Sequence, residues 1–271
     1  VTAAGVTRRR RTRMPRGMPL LAALGAAFLV LPLVALVWRA PWGELAARLT
    51  DPTTLEALRL SLVSASTATA LSVVLGVPLA WVLARAALPG LRVLRALVTV
   101  PLVLPPVVGG VALLLLLGRR GLAGQYLDAW FGVQIPFTTL AVVIAEAFVA
   151  MPFLVVSVEG ALRGVDRRAE DAAATLGAGP WYVARRVTLP AVAPGLAAGT
   201  ALTFARALGE FGATITFAGS LPGTTQTMPL AIYLAMQNDP AAAIALSLVL
   251  LATSATVLVA LRERWVPAVR S

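Results

Sequence analysis

The chain has 271 residues, 59% of them hydrophobic, with a mean hydropathy of +0.85; soluble domains hold roughly 45–50% apolar residues, and long uncharged apolar runs mark membrane spans. Cysteine and histidine are both absent, which excludes disulfides, thiol nucleophiles, Ser-His-Asp triads and zinc sites built from those residues. The formal charge of +11 rests on arginines at the ends of apolar runs, the pattern of the positive-inside rule and not of a phosphate-binding patch, so no nucleic-acid partner is expected.

Taken in chain order, the first stretch carries Arg8, Arg9, Arg10, Arg11, Arg13 and Arg16 and no acid. It reads as a disordered, basic, cytoplasmic tail over residues 1–17. The apolar run 18–38 follows, long enough at about 1.5 Å per residue to cross about 30 Å of hydrocarbon. It exceeds the roughly 7–15 residues of a signal-peptide core, and Trp38-Arg39-Ala40-Pro41 makes a poor cleavage site, so a retained helix is expected. A second span at 58–84 opens rich in Ser and Thr, which suits burial against other helices, and closes at Arg85 before Pro89-Gly90. The third, 94–117, contains Pro101, Pro105 and Pro106 and should be kinked or broken, which hydrocarbon tolerates only where protein or a cavity satisfies the freed backbone groups.

A fourth span at 138–158 holds Glu146, a fifth at 192–217 holds Arg206 and Glu210, and a sixth at 241–261 ends in Arg262-Glu263-Arg264-Trp265, a common interfacial anchor. The fold class expected is an all-α membrane protein with six transmembrane helices, one transmembrane domain over 18–271. Seventeen arginines fall on one side of this topology and five on the other, which places both termini in the cytoplasm. On the outer side, 119–136 offers Tyr126, Trp130 and Phe131 to an interface, and 228–236 is amphipathic enough for a short surface helix.

The long inner loop, 163–190, reads RGVDRRAEDAAATLGAGPWYVARRVTLP. Asp166 can cap a short helix through about Leu176, with Glu170 and Asp171 on it. Gly177 and Gly179 stop that helix, and Pro180 suits the first turn of the next. Ala172, Ala173 and Ala174 leave a shallow surface that another protein could approach closely.

These residues resemble a motif of ABC importer permeases, E-A-A-x3-G-x9-I-x-L-P. The chain has Asp171-Ala172-Ala173, then Gly177, then Val187-Thr188-Leu189-Pro190 at the same spacing. Asp171 replaces Glu and Val187 replaces Ile; Glu170 directly precedes. Segments 101–109 (PLVLPPVVG), 206–214 (RALGEFGAT) and 225–233 (TQTMPLAIY) are similar to the molybdate and sulfate branch of that family, and 113–121 (LLLLLGRRG) to its molybdate members. The resemblance implies the type I, MetI-like permease architecture in a bacterial inner membrane. It implies a homodimer in lipid, two cytoplasmic ABC ATPase subunits that hold ATP-Mg, and an extracytoplasmic oxyanion-binding protein. The loop would be the coupling helix, with Glu170, Asp171, Ala172, Ala173, Gly177, Val187, Leu189 and Pro190 as its ATPase-coupling residues. Molybdate is the anion implied first, then tungstate or sulfate.

The chain itself has no GxxxxGK[ST] loop, so it is expected to bind no cofactor and to be no enzyme. Arg206 and Glu210, spaced i, i+4, share a helix face. A charge at the bilayer centre costs about 2.5–3.5 kcal/mol on insertion scales, so Arg206 either attracts an anion in the pathway or is neutralised by Glu210 or Glu146. The hydroxyls of Thr214, Thr216, Thr224, Thr225 and Thr227 lie near the expected outer mouth, although threonine is also ordinary in helix packing. A secondary transporter would need an ion-coupling site, and the chain shows no internal repeat of the kind many such proteins have. An intramembrane hydrolase would need a lysine or paired aspartates that the spans lack.

Overall fold

The structure is a computed structural model that describes residues 17–263, and those residues form helices and turns without strand. The basic tail and the anchor residues Arg264 and Trp265 lie outside the described residues. The chain divides between Ala40 and Pro41 into two units. The first contains α1 (Met18–Trp38), 21 residues with Pro19 in the first turn and Pro32 inside; at about 1.5 Å per residue it is about as long as a hydrocarbon core is thick.

The second unit begins with α2 (Leu45–Leu49) and α3 (Pro52–Arg85). Asp51 starts α3 by accepting the Thr53 N–H at 2.8 Å, with Pro52 at the first helical position, where a missing N–H costs nothing. Its buried face is made almost wholly of small residues, among them Ala57, Ser61, Ser64, Ala65, Ala68, Ser72, Gly76 and Ala80. That face lies on α7 (Thr139–Gly164), the most enclosed helix of the unit, with α10 (Leu189–Leu208) also against it. A Cβ on Gly76 would stand 3.2 Å from Leu154 and 3.3 Å from Met151 and Val155.

Helix α10 meets α7 through Gly195 and Gly199, one turn apart. A Cβ on Gly195 would collide with Ala161, and one on Gly199 would come within 2.9 Å of Ser157. Lipid tails are as apolar as the side chains they touch, so close backbone approach and interhelical hydrogen bonds carry the association. The bonds are present: Ser157 Oγ donates to the Gly195 carbonyl at 2.9 Å, and Thr203 Oγ1 to the Ala150 carbonyl at 3.4 Å.

The expected third span is two helices, α4 (Leu91–Val103) and α5 (Pro106–Leu117), bent by 119°. Leu104-Pro105-Pro106 produces the break, since neither proline has an N–H and each restricts the residue before it. With that pair taken as one span, the described residues contain up to six helices long and apolar enough to cross a membrane; without it, five. Helix α6 (Gly124–Phe131) stacks Tyr126 against Trp130 with centroids 5.4 Å apart and leaves Trp130 and Phe131 exposed. The amphipathic segment 228–236 is helical, in α12 (Met228–Asn238), and α13 (Pro240–Glu263) follows.

Two features of the fifth span depart from the sequence reading. It stops at Leu208, nine residues early, because Gly209-Glu210-Phe211 interrupts it before the short α11 (Gly212–Phe217). At its other end it does not begin after the loop. Short helix α9 (Pro180–Val183) runs through a π turn, Ala184–Thr188, directly into α10. Pro190 cannot donate to a carbonyl four residues back and its ring crowds that carbonyl; the wider turn just before it, with the Leu189 N–H on the Ala184 carbonyl, accommodates both.

Two consequences are measurable. Replacing Gly195 or Gly199 by Leu should force α10 off α7 at a cost of about 1–3 kcal/mol, seen as a lower unfolding temperature in detergent, whereas Gly160→Ala, which meets open space, should leave it unchanged. The second concerns Asp239, at the start of α13 and outside the spans. The Ala242 N–H and then Arg48 hold its carboxyl below the ordinary 3.8. A depressed folded-state pKa gives a contribution that is present above the unfolded value and lost as pH falls through the folded one. Thermal stability due to Asp239 should therefore be flat from neutrality to about 3.8 and be lost below it, and Asp239→Ala should be less stable than the parent at neutral pH, the difference closing as pH falls through that limb.

Candidate functional site: the 163–190 loop and the buried charges

The loop folds from local rules. Asp166 accepts the Arg168 N–H at 3.0 Å and opens α8 (Arg167–Thr175), whose first turn carries Glu170, an acid where the helix dipole favours one. Gly177 ends it at φ +87°, with the Ala178 N–H on the Ala173 carbonyl and the Gly177 N–H on the Ala174 carbonyl, both 3.0 Å. That is the Schellman pattern, which needs a left-handed residue at this position. Gly179 is extended, and Pro180 starts α9.

The motif residues separate into two groups. Glu170 turns inward: its Oε1 accepts from Arg85 Nη2 at 2.9 Å and from Thr188 Oγ1 at 2.7 Å. Val187 is half-buried, and Thr188 is wholly buried. Asp171, Ala172 and Gly177 are exposed and Ala173 half-exposed, as are Leu189 and Pro190 to solvent or lipid. Asp171 makes no side-chain hydrogen bond or ion pair among the described residues. Beside it on the surface stand Leu176, Trp181 and Tyr182, all largely exposed, with the Arg185 guanidinium 5.9 Å from the Trp181 ring centroid.

Sequence reasoning missed both partners of Glu170. Thr188 occupies the unspecified position of the motif, and Arg85 had been read only as a flanking charge. It also missed a second clamp at the same end of the bundle. Arg95, on α4, donates to Glu159 Oε1 on α7 at 2.8 Å and to the Leu83 carbonyl at the end of α3 at 2.9 Å, and Arg163 meets the same Glu159 oxygen at 2.8 Å.

Within the spans, Arg206 Nη2 stands 2.5 Å from Glu210 Oε2. That contact has the distance of an ion pair without hydrogen-bond alignment, since Oε2 counts no hydrogen-bond partner among the described residues. Glu210 is fully buried and its other oxygen accepts the Ala213 N–H at 2.8 Å, so it caps α11 while neutralising Arg206. Glu146 is not the partner of Arg206. It is equally buried, with Ser64 Oγ of α3 donating to its Oε1 at 2.8 Å and no partner on Oε2 among the described residues. Of the five threonines, Thr216 donates to the Gly212 carbonyl and Thr225 accepts the Leu221 N–H; Thr214 and Thr227 are buried with hydroxyls unpartnered among the described residues. No grouping of acids able to hold a metal ion occurs among the described residues.

A multi-pass helical bundle organised on a central helix, with a polar helix-turn-helix loop at one end, is the form of a membrane transport permease. Residues 72–267 match the family described as the binding-protein-dependent transport system inner membrane component, and the chain belongs to that family. It is 51% identical over 253 residues, 93% of this chain and 96% of the other, to the molybdenum transport system permease protein ModB of Mycobacterium bovis. It is 38% identical over 230 residues, 83% of each chain, to the sulfate transport system permease protein CysT of Escherichia coli. The fold superposes on a chain of the MetNI methionine ABC transporter, solved in inward-facing conformations, with a TM-score of 0.64 at 19% identity, over 82% of this chain and all of that one. The architecture is therefore that of the MetI-like ABC importer permeases, transport components and not enzymes.

The paired charges give a test of their own. Glu210→Ala would leave Arg206 without its counter-charge and α11 without its cap. Breaking a buried pair costs about 3–5 kcal/mol, so the variant should unfold well below the parent in detergent. Replacing both residues by apolar ones of similar volume should recover much of that loss.

Proposed function

We propose that the chain is the membrane-spanning subunit of an ATP-driven importer that carries an oxyanion, molybdate first, into the cytoplasm. The observation that carries this reading is the loop: a short helix capped by Asp166 and closed by Gly177, with Asp171 and the alanines presented outward. A surface of that kind suits docking into a partner's groove. The arginine count supports a cytoplasmic position for it, where an ABC ATPase would be found. Two copies of the chain would form the pathway, two ATPase subunits holding ATP-Mg would close beneath it, and an extracytoplasmic binding protein would deliver the anion. ATP-driven closure would move the loops and switch the pathway from inward- to outward-facing.

Molybdate is favoured over sulfate by the higher identity to a molybdenum permease than to a sulfate one. Tungstate, of the same charge and shape, is the natural companion substrate. In the pathway, Arg206 is the candidate for meeting the anion, because a quarter of its side chain remains exposed while Glu210 beside it is shut in.

The test is uptake by the reconstituted complex in vesicles. Labelled molybdate should accumulate in an ATP-dependent manner and be competed by tungstate more strongly than by sulfate. Sulfate uptake at equal or greater efficiency would reassign the substrate, and accumulation without any ATPase would reassign the class. Arg206→Ala made together with Glu210→Gln, so that no buried charge is left unpaired, should lose uptake while still assembling with the ATPase; normal uptake kinetics would remove Arg206 from the pathway.

A further inference from the structure

We propose that Arg85, Glu170 and Thr188 form the joint through which the loop drives the membrane helices, with Glu170 acting as a positioning residue inside the chain and Asp171 left for the partner. The proposal rests on the reading of the loop as an ATPase-coupling element and says which atoms pass the motion on.

Helix α8 buries none of its residues. A force applied to so weakly packed a helix would tilt it instead of moving the spans, unless something fastens it. Glu170 is the fastening. One carboxylate oxygen accepts from Arg85 at the end of α3 and from Thr188 in the π turn that leads into α10, so three separate stretches of chain meet at one atom. The side chains of Arg85 and Glu170 are 15% and 18% exposed and Thr188 is buried, which keeps the contact from being screened as surface pairs are.

The two helices fastened are α3 and α10, and both lie against α7. The attachment to α10 falls on its π turn, where the hydrogen bonds run from i to i−5, a local departure from α geometry that occurs mostly at functional sites. A cavity of about 400 Å³ opens beside the joint, lined in part by Trp81, Pro180 and Val183, so the contact has room to shift. Successive residues on a helix point about 100° apart. Glu170 can therefore reach into the bundle while Asp171 stands exposed at the rim of the same cavity, with no side-chain partner among the described residues.

The joint is tested in the complete complex of this chain with its ATPase and binding protein, in vesicles, by counting labelled molybdate imported per ATP hydrolysed. Glu170→Ala and Arg85→Ala should still assemble and hydrolyse ATP, but import roughly tenfold fewer anions per ATP, within the range by which residues along a coupling network act. The exchanged pair, Arg85→Glu with Glu170→Arg, should recover most of that loss. Asp171→Ala should instead weaken assembly with the ATPase and leave the ratio in assembled complexes unchanged. Transport by the parent with an unchanged ratio in Glu170→Ala would overturn the joint alone. A parent chain that accumulates no molybdate with ATP would overturn the functional reading, and the joint with it. Should Glu170→Ala fail to assemble, Thr188→Val removes a single hydroxyl and decides the matter: a reduced ratio supports the joint, and an unchanged one overturns it.

Discussion

A polar group inside hydrocarbon has no water to fall back on, and the arrangement around α7 follows from that constraint. Glu146 and Glu159 both lie on this helix and both are buried. Each is met from a neighbouring helix, Glu146 by Ser64 of α3 and Glu159 by Arg95 of α4. Prolines 101, 152 and 194, inside α4, α7 and α10, each leave a carbonyl without its usual donor. Such gaps are tolerable where other protein surrounds them, which is the situation of the most enclosed helix and of those packed on it.

The same constraint explains why the interfaces are built from small residues. Burial of large apolar side chains gains little when the alternative is lipid. What remains is close contact, so glycine recurs where helices cross: Gly76 and Gly199 at α7, and Gly110 and Gly212 between α5 and α11. At the last of these, a Cβ on Gly110 would come within 2.7 Å of Thr216 and one on Gly212 within 2.9 Å of Pro106. Many large apolar residues point the other way, although Leu154, Leu162 and Phe217 are buried. Leu71, Val74, Leu75, Val107, Leu115 and Leu140 are all exposed on the isolated chain, as lipid or a second protein surface requires. Hydrophobic periodicity would therefore mislead along α3, whose buried face is the less apolar one.

Much of this was legible in the sequence because the signals were local. Apolar length gave the long helices, Asp166 and Gly177 gave the bounds of α8, and the proline cluster at 101–106 gave the break between α4 and α5. The missing parts depend on contacts between distant segments. Nothing near Arg85 indicates that it reaches residue 170, and a threonine in a motif's free position carries no mark of being buried. The early end of α10 had a different cause. Gly209 and Glu210 were visible, but apolar residues resume at once, so composition ran the span through a break that Glu210 stabilises by accepting from Ala213. The π turn escaped for a similar reason, since Pro190 was read as an end to the loop when the chain passes through it by widening one turn.

Adjacent acids at 170 and 171 illustrate how spacing and geometry divide the work of a motif. By spacing, Asp171 holds the acidic position and Glu170 is a supplement to it. By geometry, the order of importance within the chain is reversed, because Glu170 holds the only contacts that tie α8 to α3 by an ion pair among the described residues. A longer side chain is needed for that reach, and Asp at 170 would stop about one methylene short of Arg85 and Thr188. Asp171, exposed and without a side-chain partner among the described residues, meets no such demand on length from this chain. Two neighbouring acids are thus under different constraints, the length of Glu170 set by the reach to Arg85 and Thr188 and that of Asp171 free of any side-chain bond within the described residues.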